Sequence, residues 1–515
     1  MRIGTNVAAI VANNALQKSQ NNLSTSIERL SSGYKINGSK DDAAGCAISE
    51  KMRAQIRGLS QAQNNTADGV SVLNTAEGAI TEIQSMLTRL KELSVQAAND
   101  VNSDDEREAI QKEIEQINNE IDRISDQTEF NTQSLINGNL SRRVYSDLQG
   151  VNQLSVSDSY TAGVYGITVT EDARQAIAVG AGSITMSSTA SITEEQAGAI
   201  NINGYKISIS EGDTLDKVMG KIIDGVNITG GSAFTVKDLN NDTAANGTDY
   251  AGYVPTADYA GSTLVIMTNQ YGSDQKMNIT CDNAELADIL GIPQAATQDG
   301  IYVEGSDVKA EIAIGDDGKR IGFADSAILS TKGTVITVTD VNNKEFSMDV
   351  PGNAAGTVFD DSNNDGQSAA GAGTARTISQ EVTDVGTMSI HVGANQDQVI
   401  VIDIPAITTY SLGTEHMNVM TQYTASRAIS TVDEAINKTN KIRSRIGAYE
   451  NRFDHTTNNL EVSSENLTKS LSTMIDTDMS EEMTTYTSET VLTQAATSIL
   501  AQANERPSQV LQLLQ

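Results

Sequence analysis

Apolar residues fall into their clearest order between Leu73 and Ile124. Leu73, Ala76, Ile80, Ile83, Leu87 and Leu90 step by three and four residues, a spacing that sets all six in one line on an α-helix. After a break the step returns in Ile110, Ile114, Ile117, Ile121 and Ile124. Asn99-Asp100-Val101-Asn102 is turn-rich. Ser103 with Glu106 three residues on is a capping box, each side chain serving a backbone N–H that the helix start leaves without a partner. The two runs predict an antiparallel helical hairpin whose seams need partners beyond each other.

Toward both chain ends the stripes thin. Ala9, Leu16, Leu23 and Leu30 lie seven apart, joined by Ile27 and interrupted by Asn13 and Gln20, and such a stripe buries too little to hold a helix folded alone. Gly33 to Gly38 reads as a loop. Ser39 with Asp42 opens the next helix, with acidic residues where the dipole favours them. That helix should continue to Ala98 without a Pro, weakened by Gly58 and Gly69 at about 1 kcal/mol each. Near the other end Ile446, Phe453, Leu460, Leu467 and Met474 lie seven apart, with Tyr449 between them and Thr456, Ser463 and Ser470 weakening the line. Leu492, Ala496, Ile499, Ala503, Val510 and Leu513 form a last, Ala-rich stripe. The mirror-like texture predicts that the N- and C-terminal arms pack together. The outermost stripes, Leu16, Leu23, Ile27 and Leu30 on one arm and Leu492, Ile499, Val510 and Leu513 on the other, are candidate subunit-assembly seams that other copies of the chain would cover.

Between about 140 and 405 the apolar period drops to two, as in Lys206 to Ile209, Ala310 to Ile314 and Glu345 to Val350, and Gly, Asn and Asp clusters separate the runs. The fold class is α+β: a long antiparallel helical coiled-coil bundle built from the two arms, with β-rich variable domains inserted between them. The expected divisions are 1–40 (N-terminal helix), 41–140 (rod), 141–191 (strand-rich connector), 192–292 (a module holding Ile202-Asn203-Gly204 and a helix near Thr214 to Val226), 293–384 (second β module and linker), 385–478 (strand and rod) and 479–515 (C-terminal helix).

Composition narrows the function classes. A net charge of -32 repels nucleic acid and anionic membrane alike. No run approaches the ~18 apolar residues of a membrane helix, and the apolar stretch after Arg2 stops at Ala12, too short for a signal-peptide core, so composition alone reads as cytoplasmic. Cys46 and Cys281 make neither a disulfide framework nor a metal site, and Cys46 among small residues reads as helix packing. His391, His416 and His455 are scattered, with no second His at zinc-motif spacing. Asp361 to Gly366 matches the first half of a calcium loop, but Ala372 stands where a bidentate Glu is required, so an Asx-rich turn is expected. No phosphate-binding glycine loop is present; the reading is a non-enzyme with no cofactor and no metal.

Two blocks carry a resemblance. Arg29-Leu30-Ser31-Ser32-Gly33-Tyr34-Lys35-Ile36-Asn37, Lys40 to Gly45 and Ala47 to Leu59 closely resemble the N-terminal signature of bacterial flagellin. Leu500 to Asn504, Pro507, Val510 to Leu514 and the Val392-Gly393-Ala394-Asn395 strand resemble its C-terminal part, and the 192–292 module is similar to the Ile-Asn insertion repeat of flagellins and hook-associated proteins. The resemblance implies a filament subunit for swimming motility that polymerises with itself. It further implies export through the flagellar secretion channel, an export chaperone and a filament cap as partners, and an extracellular location in the flagellum. It also implies recognition by a vertebrate Toll-like receptor, through residues that match Arg89, Leu93 and Glu113. The alternative account of the same residues pairs Arg89 with Glu92 or Glu113 at the surface and gives Leu93 to subunit packing. Two other readings stand beside it: a hook-filament junction protein, and a surface-displayed enzyme within 140–400.

Overall fold

The structure, a computed structural model, describes residues 6–157, 160–180, 182–237, 259, 261–293, 296, 300–315, 318–340, 344–352, 359–360, 369–370, 375–383 and 385–513. Residues 236–237, 359–360, 369–370 and 507–513 are described through their backbone alone. The Asp361 to Gly366 run and Ala372 lie outside the described residues, as do the side chains of Val510 and Leu513. The helices are α1 (Val7–Ser32), α2 (Ala43–Ala97), α3 (Asp104–Gln127), α4 (Leu215–Ile228), α5 (Ala284–Ile289), α6 (Thr409–Leu412), α7 (Gln422–Ile475) and α8 (Met479–Leu513). Two compact units result: Met1–Val70 with Ile390–Ile400 and Asn451–Gln515, and Ser71–Ser389 with Val401–Glu450.

In the first unit α1 ends at Gly33, whose φ of +77° lets its N–H donate to the Arg29 carbonyl at 2.8 Å. Beyond it, the Lys35 N–H donates to the Ile475 carbonyl at 2.6 Å and the Thr477 N–H to the Gly33 carbonyl at 3.0 Å. The loop after α1 is thereby tied to the joint between α7 and α8. Helix α2 runs unbroken through Gly58 and Gly69, and the reason is close packing. A Cβ at Gly58 would stand 3.0 Å from the Ala394 methyl, and one at Gly69 would stand 3.0 Å from the Phe453 ring. The lost helix propensity is offset by letting neighbours approach the backbone. Leu59, Ala62 and Leu460 form a small core there, backed by Ala394 and Leu467.

The second unit contains the hairpin. Leu73, Ala76, Ile80, Ile83, Leu87 and Leu90 are completely buried, and Ile110, Ile114 and Ile121 are buried opposite them. The capping box forms as expected, with the Ser103 hydroxyl accepting from the Glu106 N–H and the Glu106 carboxylate accepting from the Ser103 N–H. The further partner is α7. Its Val432, Ala435, Ile446 and Tyr449 are buried, and Asp433, Asn440 and Arg443 reach Lys91, Gln84 and Glu77 across the helices. On α3, Asn118 and Ser125 sit deeper than Ile117 and Ile124, because they donate to the carbonyls of Thr414 (2.8 Å) and Ile136 (3.2 Å).

Most of the described strands form two antiparallel cores. In one, Ile301–Glu304, Lys276–Cys281, Gly198–Ile202 and Tyr205–Ile209 pair in that order, and Ile177–Val179, Ser262–Thr268 and Gly231–Lys237 form a second sheet. Asn203 and Gly204 turn the first hairpin with φ of +51° and +91°, the positive pair a tight two-residue turn requires. Ile200, Ile202, Ile207 and Ile209 then face Leu215, Val218, Met219 and Ile222 of α4, and this core also takes in Ala176, Ile184, Ala296 and Val303 from either side of 192–292. In the other core, Lys309–Ile312, Gly163–Glu171, Arg376–Val382 and Val144–Ser146 face Ile328–Lys332, Val335–Thr339, Glu345–Asp349 and Asn152–Val156. Tyr160, Tyr165, Phe323 and Phe346 gather at its centre with ring centroids 5.1–6.0 Å apart.

Candidate functional site: the paired terminal helices

Helices α1 and α8 pack along one another, and the residues each covers follow a four-three repeat. On α1 they are Ala12, Leu16, Ser19, Leu23, Ser26 and Leu30; on α8 they are Glu482, Tyr486, Glu489, Thr493, Ala496, Leu500 and Ala503. Half of this seam is polar, and the polar half sets the register. The Ser19 hydroxyl donates to Glu489 at 2.5 Å and the Asn22 amide donates to the same carboxylate at 2.9 Å. One heptad away on each helix the Ser26 hydroxyl donates to Glu482, whose other oxygen lies 3.6 Å from the Arg29 guanidinium. At the far end the Asn6 side chain both caps α1, accepting from the Ala9 N–H, and donates to the Ala503 carbonyl at 2.9 Å. The bonds from Ser19 and Asn22 hold the Glu489 carboxyl below the usual glutamate range.

This arrangement divides the expected assembly seams. Leu16, Leu23 and Leu30 lie on the side of α1 that α8 covers, Leu16 buried and the other two in part. Ile27 at 49%, Leu492 at 52% and Ile499 at 57% remain exposed. They are joined by Val7, Ile10 and Val11 on α1 and by Met479, Met483 and Val491 on α8. Of the α8 stripe read from apolar residues, 492-496-499-503, Ala496 and Ala503 belong to the seam the chain uses internally, and Leu492 and Ile499 lie beside it. Ser19, Ser26, Glu482 and Glu489 were missed, although their own seven-residue spacing was the signal that could have found them.

The three receptor-matched residues are separated by depth. Arg89 on α2 bridges to Glu113 on α3, at 3.0 Å through Nε and 2.7 Å through Nη2, and to Glu92 at 3.2 Å, all at the surface. These carboxylates, Glu113 foremost, raise the guanidinium pKa. Leu93 is 1% exposed. It packs inside the hairpin, so of the three side chains Arg89 and Glu113 stand at the surface. Among the described residues no group of His, Cys, Asp and Glu converges to hold a metal ion, and no helix is long and apolar enough to cross a membrane.

With this geometry in view, comparison with known proteins is specific. The bacterial flagellin N-terminal helical region matches residues 3–141, and the bacterial flagellin C-terminal helical region matches residues 429–514. Flagellin of Salmonella typhimurium is 31% identical over 537 residues, spanning 99% of both chains. Polar flagellin A of Vibrio parahaemolyticus is 30% identical over 514 residues, spanning 100% of this chain and 99% of the relative. The solved structure of FliC from Burkholderia pseudomallei overlaps at a TM-score of 0.22 and 14% identity, over 75% of this chain and 99% of that one, too little to bear on the fold.

Proposed function

We infer the function from the premise that this chain belongs to the bacterial flagellin family: it is a structural filament subunit, polymerising with copies of itself for swimming motility. The observation that carries the reading is the uncovered aliphatic surface of α1 and α8, where Ile27, Leu492 and Ile499 stand about half exposed beside a seam too polar to bind anything by apolar contact alone. Further copies of the same helices are the occupant that fits such a surface. Deleting residues 490–515 is expected to leave a folded monomer that forms no filaments by electron microscopy. Filaments of normal length from that truncation would sink the reading. The full-length flagellin relatives favour this role over a hook-filament junction protein, which would form short rings in the same micrographs.

The subunit passes through the flagellar secretion channel with the help of an export chaperone, is placed beneath a filament cap and resides outside the cell. The supporting feature is a terminal pair light in apolar contact, which separates at low cost. Accumulation of the protein in the medium of a cap-deficient strain, and its retention when the channel is blocked, are the expected results. Innate recognition by a Toll-like receptor belongs to the same reading, with Arg89 and Glu113 as its exposed contacts. Arg89→Ala with Glu113→Ala should abolish receptor signalling while leaving the melting of the monomer essentially unchanged, as for any solvent-screened surface pair; undiminished signalling removes these residues from the contact.

A further inference from the structure

A cavity of about 390 Å³ lies between α7 and the strands Asn152–Val156 and Glu345–Asp349, with the segment around Pro405 and α6 closing one side. That volume falls at the lower end of the range for small-molecule sites, about 300–1,000 Å³. Its lining is unusual for this chain. Against a net charge of -32, the walls carry Lys438, Lys441 and Arg445 from one face of α7 and a single carboxylate, Glu345. Two of the cations are answered: Lys441 lies 3.0 Å from Glu345, and Arg445 lies 3.6 Å from the buried Asp403 behind it.

Lys438 is the third. Its ammonium donates to the Ser411 carbonyl at 3.0 Å, and an ammonium has three N–H donors. Burial lowers its pKa below the ordinary lysine value, outweighing the opposing pull of the Glu434 and Glu345 carboxylates, neither of which pairs with it directly. Around it the floor is apolar, made by Leu154, Leu412, Ile442 and Pro405, with Ser155 and Ser347 on the strand side. A cationic head site above an aliphatic floor selects for a ligand with the complementary division.

We propose that this cavity binds a small amphipathic anion, a carboxylate or sulfonate head on an apolar body, with the head at Lys438 and the body against Leu154, Leu412 and Ile442. The apolar body distinguishes it from a site for a bare inorganic anion, and the charge distinguishes it from a simple greasy pocket. No covalent step is involved.

The test uses the full-length monomer, titrated by calorimetry with sodium octanoate, and with octanol and acetate as the separated body and head. Octanoate should occupy one site per chain, and octanol and acetate should each bind at least about tenfold more weakly. Lys438→Met, which keeps the side-chain stem, should weaken octanoate by about tenfold or more, and Ala448→Trp at the rim should block it with Lys438 intact. Octanoate should also slow acylation of Lys438 in the parent protein, read by peptide mass spectrometry, a measurement that needs no variant to fold. Octanoate binding that survives both substitutions, octanol binding as tightly as octanoate, acetate matching octanoate, or unprotected Lys438 at saturating octanoate would each overturn the proposal.

Discussion

Replacing Ile27, Leu492 and Ile499 together by Ser is expected to uncouple assembly from folding. Each keeps about half of its surface uncovered in the single chain, at 49%, 52% and 57%. Complete burial of such a side chain contributes about 1.5–3 kcal/mol, so covering the remaining half is worth about 1 kcal/mol each and about 3 kcal/mol per subunit for the three. At about 1.4 kcal/mol per factor of ten, the critical concentration for polymerisation should rise by about 100-fold. In the monomer the same side chains are surface residues whose removal changes stability by no more than about 0.5 kcal/mol each. Sedimentation of seeded polymerisation across a concentration series reads the first quantity, and calorimetric melting of the monomer reads the second. An unchanged critical concentration refutes the assignment of this surface to subunit contacts. A monomer melting loss that accounts for the whole effect refutes the claim that the three residues are idle within the chain.

Further outcomes follow from other parts of the molecule. Because Glu489 titrates below the ordinary glutamate value near 4.3, its contribution to the α1–α8 pair is present above that pH and is lost as pH falls through the depressed value. Hydrogen exchange in residues 7–32, corrected for intrinsic rates, should accelerate on acidification, and Glu489→Gln should remove part of that dependence; an identical profile in the variant contradicts the assignment. Phe346→Ala empties the centre of the ring cluster in the second β core, and the loss should be about 3–5 kcal/mol by urea unfolding of that module. Asn203→Val places a β-branched residue at φ +51° and removes side-chain bonds with Lys276 and Asn278, so a loss of about 2 kcal/mol is expected, whereas Asn203→Gly should cost less. Equal losses in the two variants would show that backbone strain is not the cause.

The parts of this fold that could be read from the sequence are those in which one physical term dominates. The Leu73 to Leu90 ladder is buried at every step because six aliphatic residues on one helical line admit no other placement, and the Ser103 box formed because its partners lie within one turn. The Asn203-Gly204 turn was legible for a similar reason: few residue pairs accept positive φ in succession. What escaped was polar and distant. Asn118 and Ser125 occupy deep positions on α3 by bonding carbonyls of Thr414 and Ile136, contacts with no local signature. The face of α8 that meets α1 carries Glu482 and Glu489, polar residues that an apolar stripe does not reveal, while Leu492 and Ile499 stay exposed beside it. A match to a motif says nothing of depth, and Leu93, three residues beyond Leu90, lies buried with the apolar ladder.

The clasp between Ser19 and Glu489, repeated at Ser26 and Glu482, gives the chain ends a fastening of an unusual sort. When it opens, water takes up the hydroxyls and carboxylates, while Leu16, Leu23 and Leu30 are uncovered along with them. Sliding either helix by one heptad would leave one of the two serines without its carboxylate, so the ends of the chain favour a single alignment when they close.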